Sequence, residues 1–236
     1  MTTNDTFRGL RAAITGGTSG LGLALVEQLH AGGARVAFIA RTEPRVRELA
    51  ARLPGTHGIV GDVADKASTH AIALQVSGML GGLDLLVNNA SALGPVPLAP
   101  LADTECEDFE AALQANVLGP FRLTKALLGS LAASARQGRS PLVLNISSDA
   151  ANNAYAGWGA YGASKAALAH MTRIWDEELR QHGVRLVARD PGDMDTPLHA
   201  LALPGADPST LQRPADAARE LLREIAGLTA AAGVAA

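Results

Sequence analysis

Short apolar runs alternate with longer amphipathic stretches along the chain, beginning at residue 10. Residues 10–15 form an apolar run that stops in Gly16-Gly17-Thr18-Ser19-Gly20-Leu21-Gly22, and a helical spacing of apolar positions fills 21–31. Residues 34–40 (Ala-Arg-Val-Ala-Phe-Ile-Ala) read as a buried second strand. A charged amphipathic helix is expected over 44–53, with Pro44 at its first position, where the missing N–H costs nothing. A third strand at 57–60 leads through Gly61-Asp62-Val63 to a helix over about 66–80, capped by Asp65. A fourth strand follows at 83–87.

The second half keeps the same rhythm. Residues 92–101 hold three prolines and are expected to form a loop. A long helix should run from a cap at Asp103 or Thr104 to about residue 135. Gly119-Pro120 should kink it, because proline removes a backbone hydrogen bond. The pattern then predicts a fifth strand at 141–146, a helix over about 159–182, a sixth strand at 184–189 and a final amphipathic helix from 213 to about 225. Residues 227–236 match no element. Alternation of strand and helix throughout implies an α/β fold, a parallel sheet with helices on both faces. No repeat, linker or low-complexity block divides the 236 residues, so one domain is expected, with its core over about 8–226.

Composition narrows the partners. Apolar residues make up 47% of the chain and aromatics only 3%, so a large core is possible but must be built mainly from Ala, Leu and Val. A net charge of −3 with no basic stripe argues against nucleic acid. No apolar run approaches the length of a membrane span, and residues 1–9 lack the charged-then-apolar pattern of a signal peptide. The single cysteine, Cys106, excludes an internal disulfide and fits a reducing, cytoplasmic compartment. Six histidines are scattered without ligand spacing, so no metal site is expected.

Two stretches carry chemistry. Strand, glycine-rich turn and helix together present backbone N–H groups and a positive helix end to a phosphate. Gly16 suits the tight turn, while Gly20 and Gly22 let a pyrophosphate and the neighbouring strand come close. At the end of the second strand an acid would bind the 2′-hydroxyl of NAD, and an arginine the 2′-phosphate of NADP. The chain has Ala40-Arg41 there, so NADP(H) is preferred and NAD remains possible. Asn88-Asn89-Ala90-Ser91 ends the fourth strand, at the crevice where open α/β sheets bind ligands.

The second stretch is 147–165. Tyr161 and Lys165 stand four residues apart at the head of a helix, so phenol and ammonium share one face. An ammonium that close favours phenolate and draws the tyrosine down from its ordinary pKa of about 10. Such a tyrosine can exchange a proton with a carbonyl or alcohol oxygen near neutral pH. Ser147-Ser148 ends the fifth strand just upstream, and the polar Asn116 sits beside the expected kink.

In this order and spacing the motifs resemble the short-chain dehydrogenase/reductase family in its classical form, over about residues 8–226. Thr15-Gly16-x-x-x-Gly20-x-Gly22 resembles the family's coenzyme turn, which implies cofactor contacts from Thr15, Gly16, Thr18, Ser19, Gly20, Leu21 and Gly22. Asp62 and Val63 match the pair that flanks the adenine. Asn89 and Ala90 belong to an Asn-Asn-Ala-Gly segment in which Ser91 replaces the glycine. Pro191-Gly192-x-x-x-Thr196 matches the segment that holds the nicotinamide carboxamide, and Asn116, Ser148, Tyr161 and Lys165 match the four catalytic positions. The resemblance implies a Rossmann-like, doubly wound sheet of about six strands in the order 3-2-1-4-5-6. It also implies an enzyme that reduces a ketone or aldehyde or oxidises the alcohol. In that enzyme Tyr161 is the general acid or base and Ser148 orients the carbonyl. Lys165 lowers the Tyr161 pKa and holds the nicotinamide ribose, and Asn116 keeps a water in place for a proton relay.

Three departures from the family pattern matter. Ser19 stands where NADP-preferring members often carry a basic residue, and Asp190 replaces the asparagine common before Pro-Gly. The usual seventh strand, with its Asp-Gly-Gly signature, is absent, which favours a homodimer through helices 104–135 and 159–182 over a tetramer. A small-molecule substrate would lie between loop 149–160 (Asp149, Asn152, Asn153, Tyr155, Trp158) and loop 193–212 (Met194, Leu198, His199, Leu201). The alternative is a non-catalytic NADP(H)-binding sensor of the same fold; four intact catalytic positions argue for the enzyme.

Overall fold

The computed structural model describes residues 5–233. Six strands, β1 (Arg11–Thr15), β2 (Arg35–Ala40), β3 (His57–Val60), β4 (Leu85–Asn88), β5 (Leu142–Ile146) and β6 (Arg185–Arg189), form one sheet in the order β3-β2-β1-β4-β5-β6. Every neighbouring pair is parallel. Parallel neighbours are joined only by crossovers, and the amphipathic stretches supply them. These are α1 (Gly20–Ala31), α2 (Glu43–Arg52), α3 (Ser68–Leu80), the pair α4 (Cys106–Leu113) and α5 (Gly119–Arg136), and α6 (Gly159–Leu179). A short α7 (Pro197–Ala202) and α8 (Pro214–Gly233) follow β6.

Strand side chains alternate between faces, and this sorts the core into two layers. Ile14, Phe38, Val87 and Leu144 pack with α1 and α8, whereas Ala13, Ile39, Leu86 and Val143 pack with α3 and α5. Phe38 is the largest apolar side chain that is fully buried, a burial worth about 2–3 kcal/mol. The strands' carboxyl ends thus converge on one rim of the sheet.

Several expected boundaries move for local reasons. Asp65 does not cap the helix: it closes the preceding turn, accepting from the Ala67 N–H at 2.9 Å and the Ser68 hydroxyl at 2.6 Å, and Ala67 is the residue before the first helical position of α3 at Ser68. Glu105, rather than Asp103 or Thr104, is the residue before the first helical position of α4. The long helix is interrupted by a π turn, Gln114–Leu118, that separates α4 from α5. Pro120 has no N–H to give the Asn116 carbonyl four residues back. The chain widens there, with the Gly119 N–H reaching the Gln114 carbonyl.

The tail also differs from expectation. α8 continues to Gly233, past the expected end near residue 225. Residues 234–236 lie outside the described residues. Among those described there is no seventh strand, so β6 is a sheet edge. Two side chains take up backbone groups that a further strand would have bonded. The Leu186 N–H donates to Asp176 at 2.9 Å, and Arg189 Nη1 donates to the Ala188 carbonyl at 2.9 Å. Charged groups so placed discourage pairing with another chain.

Candidate active site

The carboxyl rim opens on a cleft of about 940 Å³. Most sequence candidates line it: Gly16, Thr18, Ser19, Gly20, Leu21, Arg41, Asp62, Val63, Asn89, Ala90, Ser148, Tyr161, Lys165, Pro191, Gly192 and Thr196. Thr15, Gly22 and Asn116 do not line it; they stand behind it and build its wall. Thr15 is buried, and its hydroxyl oxygen accepts the N–H groups of Asn89 at 2.9 Å and Ala90 at 3.0 Å. Asn89 in turn donates to the Thr15 carbonyl at 2.9 Å and the Gly16 carbonyl at 3.3 Å, so its amide clips the glycine turn in place.

The turn requires its glycines. Gly16 has φ +67°, in the left-handed region, and a Cβ at Gly22 would fall 2.2 Å from the Gly16 carbonyl oxygen. Any side chain at Gly22 would therefore push the turn off helix α1. Asn88, adjacent to Asn89 in sequence, points the other way. It is buried and donates to Asn145 at 2.8 Å and Thr124 at 3.2 Å, a network between the sheet and α5 and α6.

At one end of the cleft Arg41 is exposed and its guanidinium lies 3.9 Å from Asp62. Asp62 itself accepts from the Ala64 N–H at 2.9 Å. At the other end, Tyr161 and Lys165 occupy the first turns of α6, with Lys165 Nζ 5.4 Å from the centre of the Tyr161 ring. Lys165 is 2% exposed and donates to the Ile146 carbonyl at 2.8 Å. Burial pulls its pKa down to about 8, an effect that the negative charge of Asp190 partly offsets. Tyr161 is also buried, and desolvation pushes it up to about 12, although the Ser148 and Ser91 hydroxyls favour its ionised form. The expected downward pull of Lys165 on Tyr161 is therefore not what dominates in this state: both groups are set by burial.

Ser148 Oγ accepts from the Ala150 N–H at 3.2 Å and donates to Asp149 at 3.1 Å. Tyr155 donates to the other Asp149 oxygen at 2.7 Å, and this hydroxyl holds the Asp149 carboxyl below the usual range. Trp158 meets the Tyr161 ring edge-on at 5.7 Å and packs with Leu93, Leu198 and Ala202. Asn152 lies in a different cavity, beside β6, and Asn153 is not among the residues lining the cleft. The pocket loops therefore contribute Asp149, Tyr155, Trp158, Met194, Leu198, His199 and Leu201, without the two asparagines.

Comparison with known proteins agrees with this geometry. The family model described as short chain dehydrogenase matches residues 11–205. The chain is a short-chain dehydrogenase. It is 30% identical to L-xylulose reductase of Bos taurus over 80% of this chain and 74% of the relative. It is 31% identical to carbonyl reductase (NADPH) 2 of Sus scrofa over 78% of this chain and 72% of the relative. A short chain dehydrogenase of Shigella flexneri, solved in complex with NADP, superposes with a TM-score of 0.83 at 27% identity, covering 90% of this chain and 89% of that one. Membership makes the protein an oxidoreductase that interconverts CH–OH and C=O groups.

The dehydrogenase cleft has lining residues that sequence reasoning missed. Thr42 and Arg45 line the cleft beside Arg41; an arginine in the first turn of a helix that follows Arg41 was the available signal. Ser91, noted only as a replaced glycine, donates to Asn116 at 3.0 Å and faces the Tyr161 phenol. Asn116 is fully buried, and its amide oxygen also accepts the Ala92 N–H at 2.8 Å. Its amide nitrogen donates to the Ala92 carbonyl at 2.7 Å and to Ser164 at 2.8 Å. Both ends of that side chain are occupied by protein. No helix among the described residues is long and apolar enough to cross a membrane.

Proposed function

We propose that the cleft is the active site of an NADP(H)-dependent carbonyl reductase, working in the opposite direction as an alcohol dehydrogenase. The observation that carries this reading is one continuous cleft with the glycine turn and Arg41 at one end and Ser148, Tyr161 and Lys165 at the other. The cradle fits a dinucleotide. A Cβ at Gly20 would sit 3.0 Å from Thr196, and the turn leads into the N-terminus of α1, which favours a pyrophosphate. Thr18, Ser19, Gly20 and Leu21 would hold that pyrophosphate, Asp62 and Val63 the adenine, and Pro191, Gly192 and Thr196 the carboxamide. Arg41 and Arg45 would hold a 2′-phosphate, which favours NADP over NAD; the NADP complex of the Shigella relative and the name of the porcine one support the same choice. Bound there, the cofactor supplies the hydride.

The chain's own residues handle orientation and the proton. Ser148 would turn its hydroxyl from Asp149 to the substrate's carbonyl oxygen and stabilise the charge that develops there. Tyr161, protonated at neutral pH, would donate its proton to that oxygen in reduction and take one in oxidation. Lys165 is mostly cationic at neutral pH and would stabilise the transient phenolate while holding the nicotinamide ribose. Because the Asn116 amide is fully used, a relay water would be held by the Asn116 main-chain carbonyl, which Pro120 cannot bond.

The same proposal takes the enzyme to be a cytoplasmic homodimer. The exposed thiol of Cys106 fits a reducing compartment. The stacked Phe121 and Trp175, 5.2 Å apart on α5 and α6, lie near the exposed Ile174, an apolar face that a partner copy would cover. The reading is tested by following NADPH and NADH absorbance with a panel of aldehydes, ketones and alcohols. Carbonyl-dependent oxidation, faster with NADPH, supports it; tight NADPH binding without turnover on any member would make the protein a sensor.

A further inference from the structure

The substrate end of the cleft has two unlike walls. One is apolar, made by Trp158, Leu93 and Leu198 around the Tyr161 ring. The other carries carboxylates: Asp149, Asp190 and Asp193 all line the cleft. Asp149 is held through both carboxylate oxygens, with Oδ1 taking the Ser148 hydroxyl at 3.1 Å and Oδ2 taking the Tyr155 hydroxyl at 2.7 Å, while Asp190 takes the Gly192 N–H at 2.9 Å. Asp190 and Asp149 both act on Tyr161, and Asp193 acts on Tyr155, so carboxylates border the space beside these two phenols.

A carboxylate accepts hydrogen bonds and donates none, and each of its oxygens has more than one acceptor position. Asp149 is exposed to the cleft beyond its two partners. It therefore offers an acceptor to a hydroxyl on the substrate and repels an anion in that position. Like charges brought together cost several-fold to many-fold in affinity.

Granted the carbonyl-reductase reading of this cleft, we propose that Asp149, braced by Tyr155, determines specificity. It selects uncharged aldehydes or ketones that carry a hydroxyl and excludes those that carry a carboxylate or phosphate. Trp158 and Leu198 supply the apolar surface on which the carbon skeleton lies.

The test uses three matched aldehydes with NADPH: para-hydroxymethyl-, para-methyl- and para-carboxybenzaldehyde. The wild-type enzyme should rank them in that order by kcat/KM, with the first and last at least about tenfold apart. Asp149→Asn loosens Ser148 for all three alike, so the ratio is read rather than the rate. That ratio should fall by about tenfold in Asp149→Asn and persist in Asp149→Glu, which keeps the charge. An unchanged ratio in Asp149→Asn, with all three still reduced, overturns Asp149 as the selecting group and leaves the reductase reading standing. A wild-type enzyme that does not favour the hydroxymethyl over the carboxy aldehyde, or that reduces none of the three, overturns this inference, whereas only failure on these and on every other member of the carbonyl and alcohol panel overturns the reductase reading.

Discussion

Two buried cations stand at opposite ends of the same sheet, and they are treated differently. Arg11, at the amino ends of the strands, is 9% exposed and has every kind of partner it needs. It donates to Asp84 at 3.0 and 2.7 Å, to Ser134 at 2.8 Å and to the Gly81 carbonyl at 3.1 Å, and Arg139 adds a second positive charge on Asp84 at 2.9 Å. Asp84 raises the Arg11 pKa, and the two arginines hold the Asp84 carboxyl low despite its burial. Lys165, at the carboxyl ends, is buried more deeply but has one hydrogen bond among the described residues, to a neutral carbonyl. It has three N–H donors, so two remain for a ligand. The charge in the structural network is neutralised by the fold; the charge that the proposed chemistry would use is left short of partners, and burial lowers its pKa to about 8.

The sharpest way to break this comparison is to remove each cation's role in turn. Lys165→Met should reduce kcat/KM for NADPH-dependent carbonyl reduction by about 100-fold or more, measured by steady-state kinetics. The complementary substitution, Asp84→Ala, leaves two arginines facing an empty site and should cost about 3–5 kcal/mol of stability in urea unfolding. Cofactor affinity, measured on the folded fraction, should not change with it. If Asp84→Ala were harmless to folding, the structural half of the comparison would fail.

The pH dependence of stability separates the two sites further. The folded pKa of Lys165 lies below its unfolded value of 10.5, so the unfolded chain binds more protons between about pH 8 and pH 10.5. This residue's contribution should therefore make the wild type more stable as pH rises from 8 toward 10, by up to about 3 kcal/mol. Urea titrations across that range should show the rise, and Lys165→Met should flatten it. A smaller effect is expected at the third cation of interest, Arg41, which is exposed and lies 3.9 Å from Asp62, a distant partner among the described residues. Arg41→Ala should weaken NADPH binding about tenfold and NADH binding little, by fluorescence titration. Equal loss for both cofactors would remove the 2′-phosphate from its assignment.

Much of the architecture was legible because it rests on periodicity. The alternation of apolar runs and amphipathic stretches survives as six parallel strands and their crossovers, and the glycine spacing survives as a turn that tolerates no side chain at Gly22. The candidate site was legible where residues are consecutive or one helical turn apart, as with Tyr161 and Lys165. Partners brought together across the fold were hidden. Asn88 and Asn89 are neighbours in sequence, yet strand alternation sends one into a buried network and the other onto the glycine turn. The expectation that Lys165 would lower the Tyr161 pKa followed from spacing and from the family resemblance; neither carries information on burial, which sets both groups here. Asn116 was found beside the kink, but the Ser91, Ala92 and Ser164 contacts that occupy its amide come from segments far away in sequence.

Proton transfer by Tyr161 is the central step of the proposed reaction, and Tyr161→Phe examines it with two readings on one sample. NADPH binding, followed by cofactor fluorescence, should remain within a few-fold of wild type, while carbonyl-dependent NADPH oxidation should fall by about 100-fold or more. Binding retained with turnover lost is the predicted result. Turnover close to wild type in Tyr161→Phe would contradict the central claim and assign proton transfer to another group.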